Sequence, residues 1–226
     1  MAAFTKCIGV DFSLNSPAFC VLEANKASWV SLYRSKYDWL KLVSMKSTTF
    51  SQLTQVNELC IELLPEMKAS GEYYEVEKTK LFKFNALANS FFKKLEPFLE
   101  RDTKVFMEGI SFGSTSSSLI DISMATALLR KLIADVVGVE NFFVFSPGAI
   151  KKFAIKGNAK KWELYETIIL HKDARIAQFT DTLRINKSEW IKSNEKKDVA
   201  DPCSDLIDAT WISLFGEHFL ETFENI

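Results

Sequence analysis

The sequence is sparing with the residues that break chain regularity: its 226 positions hold 8 glycines and 5 prolines. That excludes collagen-like, low-complexity and loop-dominated architectures. No run of about 18 uncharged apolar residues occurs, which excludes a membrane-spanning helix. The longest mild stretch, Ser111 to Leu129, is rich in Ser and Thr and is broken by Asp121. An excess of one charge is missing too. Lys and Arg number 28 against 29 Asp and Glu, so a general nucleic-acid coat is disfavoured and any such contact must rest on a local patch. The four cysteines (Cys7, Cys20, Cys60, Cys203) stand far apart with no Cys-x-x-Cys pair, which argues against a structural zinc site and against a disulfide framework. Cys7, Cys20 and Cys60 sit in apolar runs and read as buried free thiols of a reducing compartment. The opening MAAFTKC lacks a basic region followed by an apolar core, so no secretory signal is expected.

What is present is ordinary globular composition, 47% hydrophobic and 25% charged, with 19 phenylalanines. Such a chain can bury one sizeable core, and no linker or internal repeat divides it; a single domain is expected over residues 1–226. Thr5–Asp11, Pro17–Glu23 and Ala27–Arg34 are short and rich in β-formers, with turn residues between them, and predict a three-strand meander. Ser51–Leu64 spaces Leu53, Val56, Leu59, Cys60, Leu63 and Leu64 by threes and fours ahead of Pro65, which predicts a helix. A second helix is expected from about Val76 to Leu99, the residues 66–99 forming an extra helical segment, with SGEYYEVEK as a loop before it. Thr103–Glu108 reads as a strand, Leu119–Val137 as a helix and Asn141–Phe145 as a strand closed by Ser-Pro-Gly. Two short helices are expected to flank the basic stretch at 151–161. The segment from about Lys172 to Lys197 shows no clear period and reads as a mobile loop. A last helix is expected from Asp201 to about Phe219. Strands first, then alternating elements, predict a mixed α/β fold on one sheet.

Four acids stand out. Asp11 and Glu108 each end a predicted strand, at the sheet margin where sites form. Asp205 and Asp208 lie three apart on a predicted helix and share a face that continues toward Ile212. Each has an ordinary reading by itself: Asp11 as a turn cap, Glu108 as the partner of a nearby Lys, Asp205 as a dipole partner with Asp201 as N-cap and Pro202 at the first helical position. The order strand-Asp, strand-Glu, Asp-x-x-Asp on a C-terminal helix is more specific than any of its parts.

In that order the residues resemble the RuvC-type Holliday-junction resolvases of the RNase H-like superfamily, especially versions carried by phages. IGVDFSLNSPAFCVL is similar to the family's first strand, turn and second strand. VFMEGISFGS is similar to its second-acid motif, FSPGAIKKFAIKGNAKKWEL to its lysine-bearing segment, and SDLIDATWISL to its closing Asp-x-x-Asp helix. Phe12 stands where the family often has Pro, and Ile155 where Gly is common. The resemblance implies an RNase H-like fold, a mixed central sheet with an antiparallel N-terminal meander and helices on both faces. It also implies a nuclease that resolves four-way junctions by paired nicks, leaving a 5′-phosphate and a 3′-hydroxyl. Paired nicks need two active sites and hence a homodimer, with Leu119–Val137 as the implied contact. Branched DNA, including flaps or forks, is the expected partner, and the cytoplasm of an infected bacterium the expected location.

The chemistry of the acids agrees. Converging carboxylates repel unless cations intervene, and oxygen-only ligands select Mg²⁺ or Mn²⁺. Two such ions are expected, held by Asp11, Glu108, Asp205 and Asp208, for in-line phosphodiester cleavage. Residues 151–161 (KKFAIKGNAKK) hold five lysines and no acid, either a solvated helical face or a DNA-binding patch. Gly157-Asn158 is expected to open a helix whose N–H groups could meet a phosphate. The resemblance matches Lys151 and Lys161 to DNA- or scissile-phosphate-contacting lysines, Lys161 counting with the catalytic set; Lys152, Lys156 and Lys160 are supporting candidates. Phe112 is either a core residue or a wedge that stacks on bases, and Ser114 either caps a helix or contacts the DNA backbone. His171 and His218 read as surface residues rather than ligands. Two other classes stay open: a non-catalytic junction-binding protein on the same fold, and an ATP-dependent phosphotransferase of the sugar-kinase type, for which GVDFSLNS would be the phosphate loop.

Overall fold

The computed structural model describes residues 6–34, 59–64, 70–110, 116–191 and 198–223. Its centre is a six-stranded mixed sheet: β1 (Cys7–Asp11), β2 (Ala18–Leu22), β3 (Ala27–Arg34), β4 (Leu59–Leu64), β5 (Lys104–Glu108) and β6 (Phe142–Phe145), in spatial order β4-β3-β2-β1-β5-β6. β1, β2 and β3 form the expected antiparallel meander, while β5 pairs parallel to β1 and β6 parallel to β5. The fold class is therefore α/β, a mixed central sheet with an antiparallel N-terminal meander, as expected.

Strand periodicity of two sends alternate side chains to opposite faces, and both faces are covered. Ile8, Val10, Phe19, Val21, Val30, Leu32, Val105 and Met107 pack under α1 (Tyr73–Leu95) and α2 (Ser116–Val137). Cys7, Cys20, Trp29 and Phe106 pack under α7 (Cys203–Phe223) together with α3 (Pro147–Ala154), α4 (Lys161–Ile168) and α5 (Ala177–Ile185). Cys7 and Cys20 are buried outside any disulfide, as expected, and so is Cys203. Among the described residues no helix is long and apolar enough to cross a membrane.

Several expectations need correction. Residues 59–64 are strand β4, paired parallel to β3 from Trp29↔Leu59 to Arg34↔Leu64, not the end of a helix. Six apolar residues suit either period, and pairing to the open edge of β3 decided it. The remainder of that expected helix, 51–58, lies outside the described residues. α1 starts at Tyr73, inside the expected loop, its first N–H groups capped by Glu72 and Glu75, and it gives way at Glu96 to a 3₁₀ turn around Pro97. The segment read as a mobile loop is largely helical: a 3₁₀ turn at Ala174–Ile176, α5, and α6 (Lys187–Trp190). Ile176, Phe179, Leu183 and Trp190 carry it into the core, with the Phe179 ring 4.9 Å from Trp29. Arg175 locks this segment to α7 through Asp173 and Glu217. Residues 192–197 are outside the described set. α7 begins at Cys203, so Asp201 is not its N-cap and Pro202 not its first turn; the Asp201–Pro202 peptide is cis.

Candidate metal centre

The site is positioned by a backbone-to-backbone approach. Ala209 and Ser213 lie one turn apart on α7 and press against Gly9 in β1: a Cβ on Gly9 would sit 2.4 Å from the Ala209 carbonyl oxygen and 2.3 Å from the Ser213 nitrogen. The Ser213 hydroxyl accepts from the Gly9 N–H at 2.7 Å and donates to the Cys20 carbonyl at 2.7 Å. Trp29 Nε1 donates to Thr210 Oγ1 at 3.0 Å. These bonds fix the axial register of α7 on the sheet. Asp205 is one turn before Ala209 on the same helix face, and Asp11 is two residues beyond Gly9 on the same strand face. The register that seats Ala209 on Gly9 therefore brings Asp205 over Asp11.

Asp11, Asp205 and Asp208 each offer a carboxylate oxygen, and the three oxygens lie within 4.8 Å of one another. Glu108 ends β5 at the level of Asp11, since Val10 pairs with Met107. It falls outside the 4.8 Å group yet raises the pKa of Asp11 and has its own raised by Asp208. Burial is the main cause at all four acids. It pushes Asp205 and Glu108 up to about 7, and Asp11 and Asp208 upward as well, with the neighbouring carboxylates adding to the effect at Asp11.

Lys161, the first residue of α4, sits among the acids. Its Nζ is 3.6 Å from Asp205 Oδ1 and 3.6 Å from Asp208 Oδ2, and it donates to Ser204 Oγ. Burial works against its charge, but Asp208, Asp205 and Asp11 outweigh this and raise its pKa. Ser204 and Ser16, whose hydroxyl favours the Asp205 carboxylate, belong to the site and were missed. A serine before an aspartate, or in a turn after a strand, carries no distinguishing sequence signal.

Two positive charges, Lys161 and Lys151, act on four acids and leave the centre under-compensated. Asp205 is 4% exposed, and its Oδ2 is buried without a hydrogen-bond donor among the described residues. An orphaned carboxylate oxygen within an all-oxygen set fits a hard divalent cation.

The other candidates separate. Lys151, on α3, is close enough to act on Glu108 and Asp208. Lys156 is paired instead with Glu163. Lys152 and Lys160 are exposed. The helix expected to open at Gly157-Asn158 opens at Lys161, where Glu163 accepts from the Lys160 N–H at 2.8 Å. Lys151 and Lys152 are within α3 rather than between two helices. Phe112 and Ser114 lie outside the described residues. His171 is half-buried against Trp211 and His218 stacks on Phe153; neither belongs to the acidic group.

No family model matches the chain, and no curated protein matches it either. Two solved structures align with nearly all of it. One is a Thermus thermophilus RuvC structure, 14% identical, with 97% of each chain covered and a TM-score of 0.47. The other is T. thermophilus RuvC in complex with a Holliday junction substrate, 15% identical, with 98% of this chain and 97% of that one covered and a TM-score of 0.46. Identity this low leaves each residue's role to be read from the chemistry of the site.

Proposed function

We propose that the chain is a divalent-metal-dependent endonuclease that resolves four-way DNA junctions by paired nicks, leaving a 5′-phosphate and a 3′-hydroxyl. The observation that carries this reading is the convergence of Asp11, Asp205 and Asp208 around an orphaned carboxylate oxygen. Asp11, Asp205 and Asp208, with Glu108 beside them, would hold two Mg²⁺ or Mn²⁺ ions. When bound, these supply Lewis acidity and charge neutralisation at a phosphodiester.

The chain's own residues do the rest. Asp205 is buried and Asp11 and Asp208 are half-buried, so water screens them only in part, and the α7 register holds them in place without reorganisation. Lys161 stays protonated at neutral pH, orients Asp205 and Asp208, and presents a cation to an incoming phosphate. Lys151, on the same side, extends the positive surface along the strand, with Lys152, Lys156 and Lys160 as outer contacts. Phe112 and Ser114 remain candidates for DNA contact. In this reading net charge −1 is compatible with DNA binding because the lysines are local.

Two symmetric nicks call for a homodimer. Its support is an exposed apolar face on α1 and α2, where Leu81, Phe82, Ile120 and Met124 are exposed. A cavity of about 360 Å³ there is lined by Lys78, Leu81, Phe82, Asn85 and Leu128. The site of action would be the cytoplasm of a phage-infected bacterium.

The test is cleavage of an end-labelled synthetic four-way junction beside a matched linear duplex, with Mg²⁺, with Mn²⁺ and with EDTA. Paired nicks near the crossover, in metal only, are expected. Tight junction binding without cutting in either metal would replace this reading by a non-catalytic one.

A further inference from the structure

A second feature lies across the sheet from the carboxylates. A cavity of about 610 Å³ opens where the loops after β5 and β6 meet α2, lined by Gly109, Ile110, Arg130, Val144, Phe145 and the Ser146–Gly148 turn. Met107 belongs to the core under α1 and α2, whereas Phe145 packs with the core under α7. By strand alternation Glu108 therefore points to the α7 side and Val144 to the α2 side. The acids and the cavity occupy opposite flanks of the same strand tips. Between them is Gly109, held by its N–H to the Phe145 carbonyl at 2.7 Å. With no side chain there, the crest between the two flanks is low.

Arg130 gives the cavity its chemistry. Its Nε is buried, and among the described residues it has no hydrogen-bond partner and no carboxylate lines the cavity. The residue as a whole is half-buried, but a buried N–H with no acceptor is costly unless a ligand supplies one. The rim at Ser146–Gly148 is the N-terminal end of α3, whose dipole favours an anion; Pro147 has no N–H there and the Ala149 N–H is accepted by Ser146. The walls at Ile110, Val144 and Pro147 are apolar and can take the faces of a base. An anion and a flat apolar ring joined in one small unit describe a nucleotide.

We propose that this cavity binds an unpaired nucleotide of the substrate strand, its phosphate on the Arg130 guanidinium and its base against Ile110 and Val144. This rests on the nuclease reading. A strand whose scissile phosphate lies at the carboxylates would pass over Gly109 and drop a neighbouring nucleotide into the cavity. The site would thus select DNA that can splay a base, as branch points do and continuous duplex does not.

The experiment follows the Arg130 Nε–H resonance of the full chain in EDTA while thymidine 5′-monophosphate or, separately, unphosphorylated thymidine is added. Wild-type protein, Arg130→Met and Val144→Trp are compared by calorimetry. The expected result is a shift of that resonance by the monophosphate and not by thymidine. About ten-fold or greater weakening is expected in Arg130→Met, and loss of binding in Val144→Trp, which fills the cavity. Because the Arg130 Nε–H has no partner to lose among the described residues, Arg130→Met should melt no lower than wild type; a lower melting point would mark the arginine as structural. No shift with the monophosphate, or equal binding by all three proteins, would overturn the proposal. So would a change of self-association in Arg130→Met with nucleotide binding intact, which would assign the arginine to a protein contact. Since no cleavage is read, nucleotide binding by a protein that cuts no junction would instead sink the nuclease reading and leave the cavity's ligand class standing.

Discussion

The Lys161 ammonium is equidistant, at 3.6 Å, from a carboxylate oxygen of Asp205 and one of Asp208. It is placed to hold two acids of α7 together from a different helix, and among the described residues it leaves Asp205 Oδ2 without a donor. The centre is thus organised before any cation arrives, and its excess negative charge is what a cation would relieve.

Asp11→Asn should abolish cleavage, with at least a hundred-fold loss of rate, while junction binding survives or improves because one negative charge near DNA is gone. Cleavage assays and electrophoretic shifts on the same preparation check this. Full activity in the variant would remove Asp11 from the centre.

Stability of the metal-free protein should depend on pH in a defined direction. Asp205 and Glu108 titrate near 7 when folded and near 4 when unfolded, so between these values the folded state binds more protons. The linkage makes stability fall as pH rises through that window. In EDTA the melting temperature should decrease from pH 5 to pH 7.5, and saturating Mg²⁺ should flatten the slope. An EDTA profile that rises over this range would contradict the under-compensated centre.

Asp205→Asn should raise the melting temperature in EDTA at pH 7.5 while eliminating the stabilisation by Mg²⁺, because a buried amide carries no charge to desolvate. Thermal melts with and without the ion decide it. An unchanged Mg²⁺ increment would mean that the ion binds elsewhere.

Gly9→Ala should destabilise the fold by about 3 kcal/mol or more, since the new methyl meets backbone atoms that cannot yield. Gly148→Ala, whose nearest neighbour would be 3.9 Å away, should change stability by about 0.5 kcal/mol at most. Urea titrations of the two variants give the comparison, and similar losses would show that α7 does not rest on Gly9.

Lys151→Ala should lower junction affinity at low salt and reduce the slope of log K against log salt by about one. Lys156→Ala should do less, because Lys156 is already paired with Glu163. Equal slopes in wild type and Lys151→Ala would turn α3 away from the DNA.

Much of this protein was legible in the residues alone. Strong β-formers separated by turn residues fixed the meander, and long stripes at helical spacing fixed α1 and α2, because these signals act locally. The strand-ending placement of Asp11 and Glu108 and the three-residue spacing of Asp205 and Asp208 were readable for the same reason. Other features depend on contacts between distant segments. Six residues at 59–64 became strand because the edge of β3 offered hydrogen bonds, and residues 174–190 became helical because Phe179 found Trp29. Lys161 entered the acid cluster while Lys156 was drawn to Glu163, a choice made by where α4 begins. Above all, the gathering of Asp11 with Asp205 and Asp208 was decided by the seating of Ala209 and Ser213 on Gly9. Spacing sets which face of a helix a residue occupies; only packing sets what that face meets.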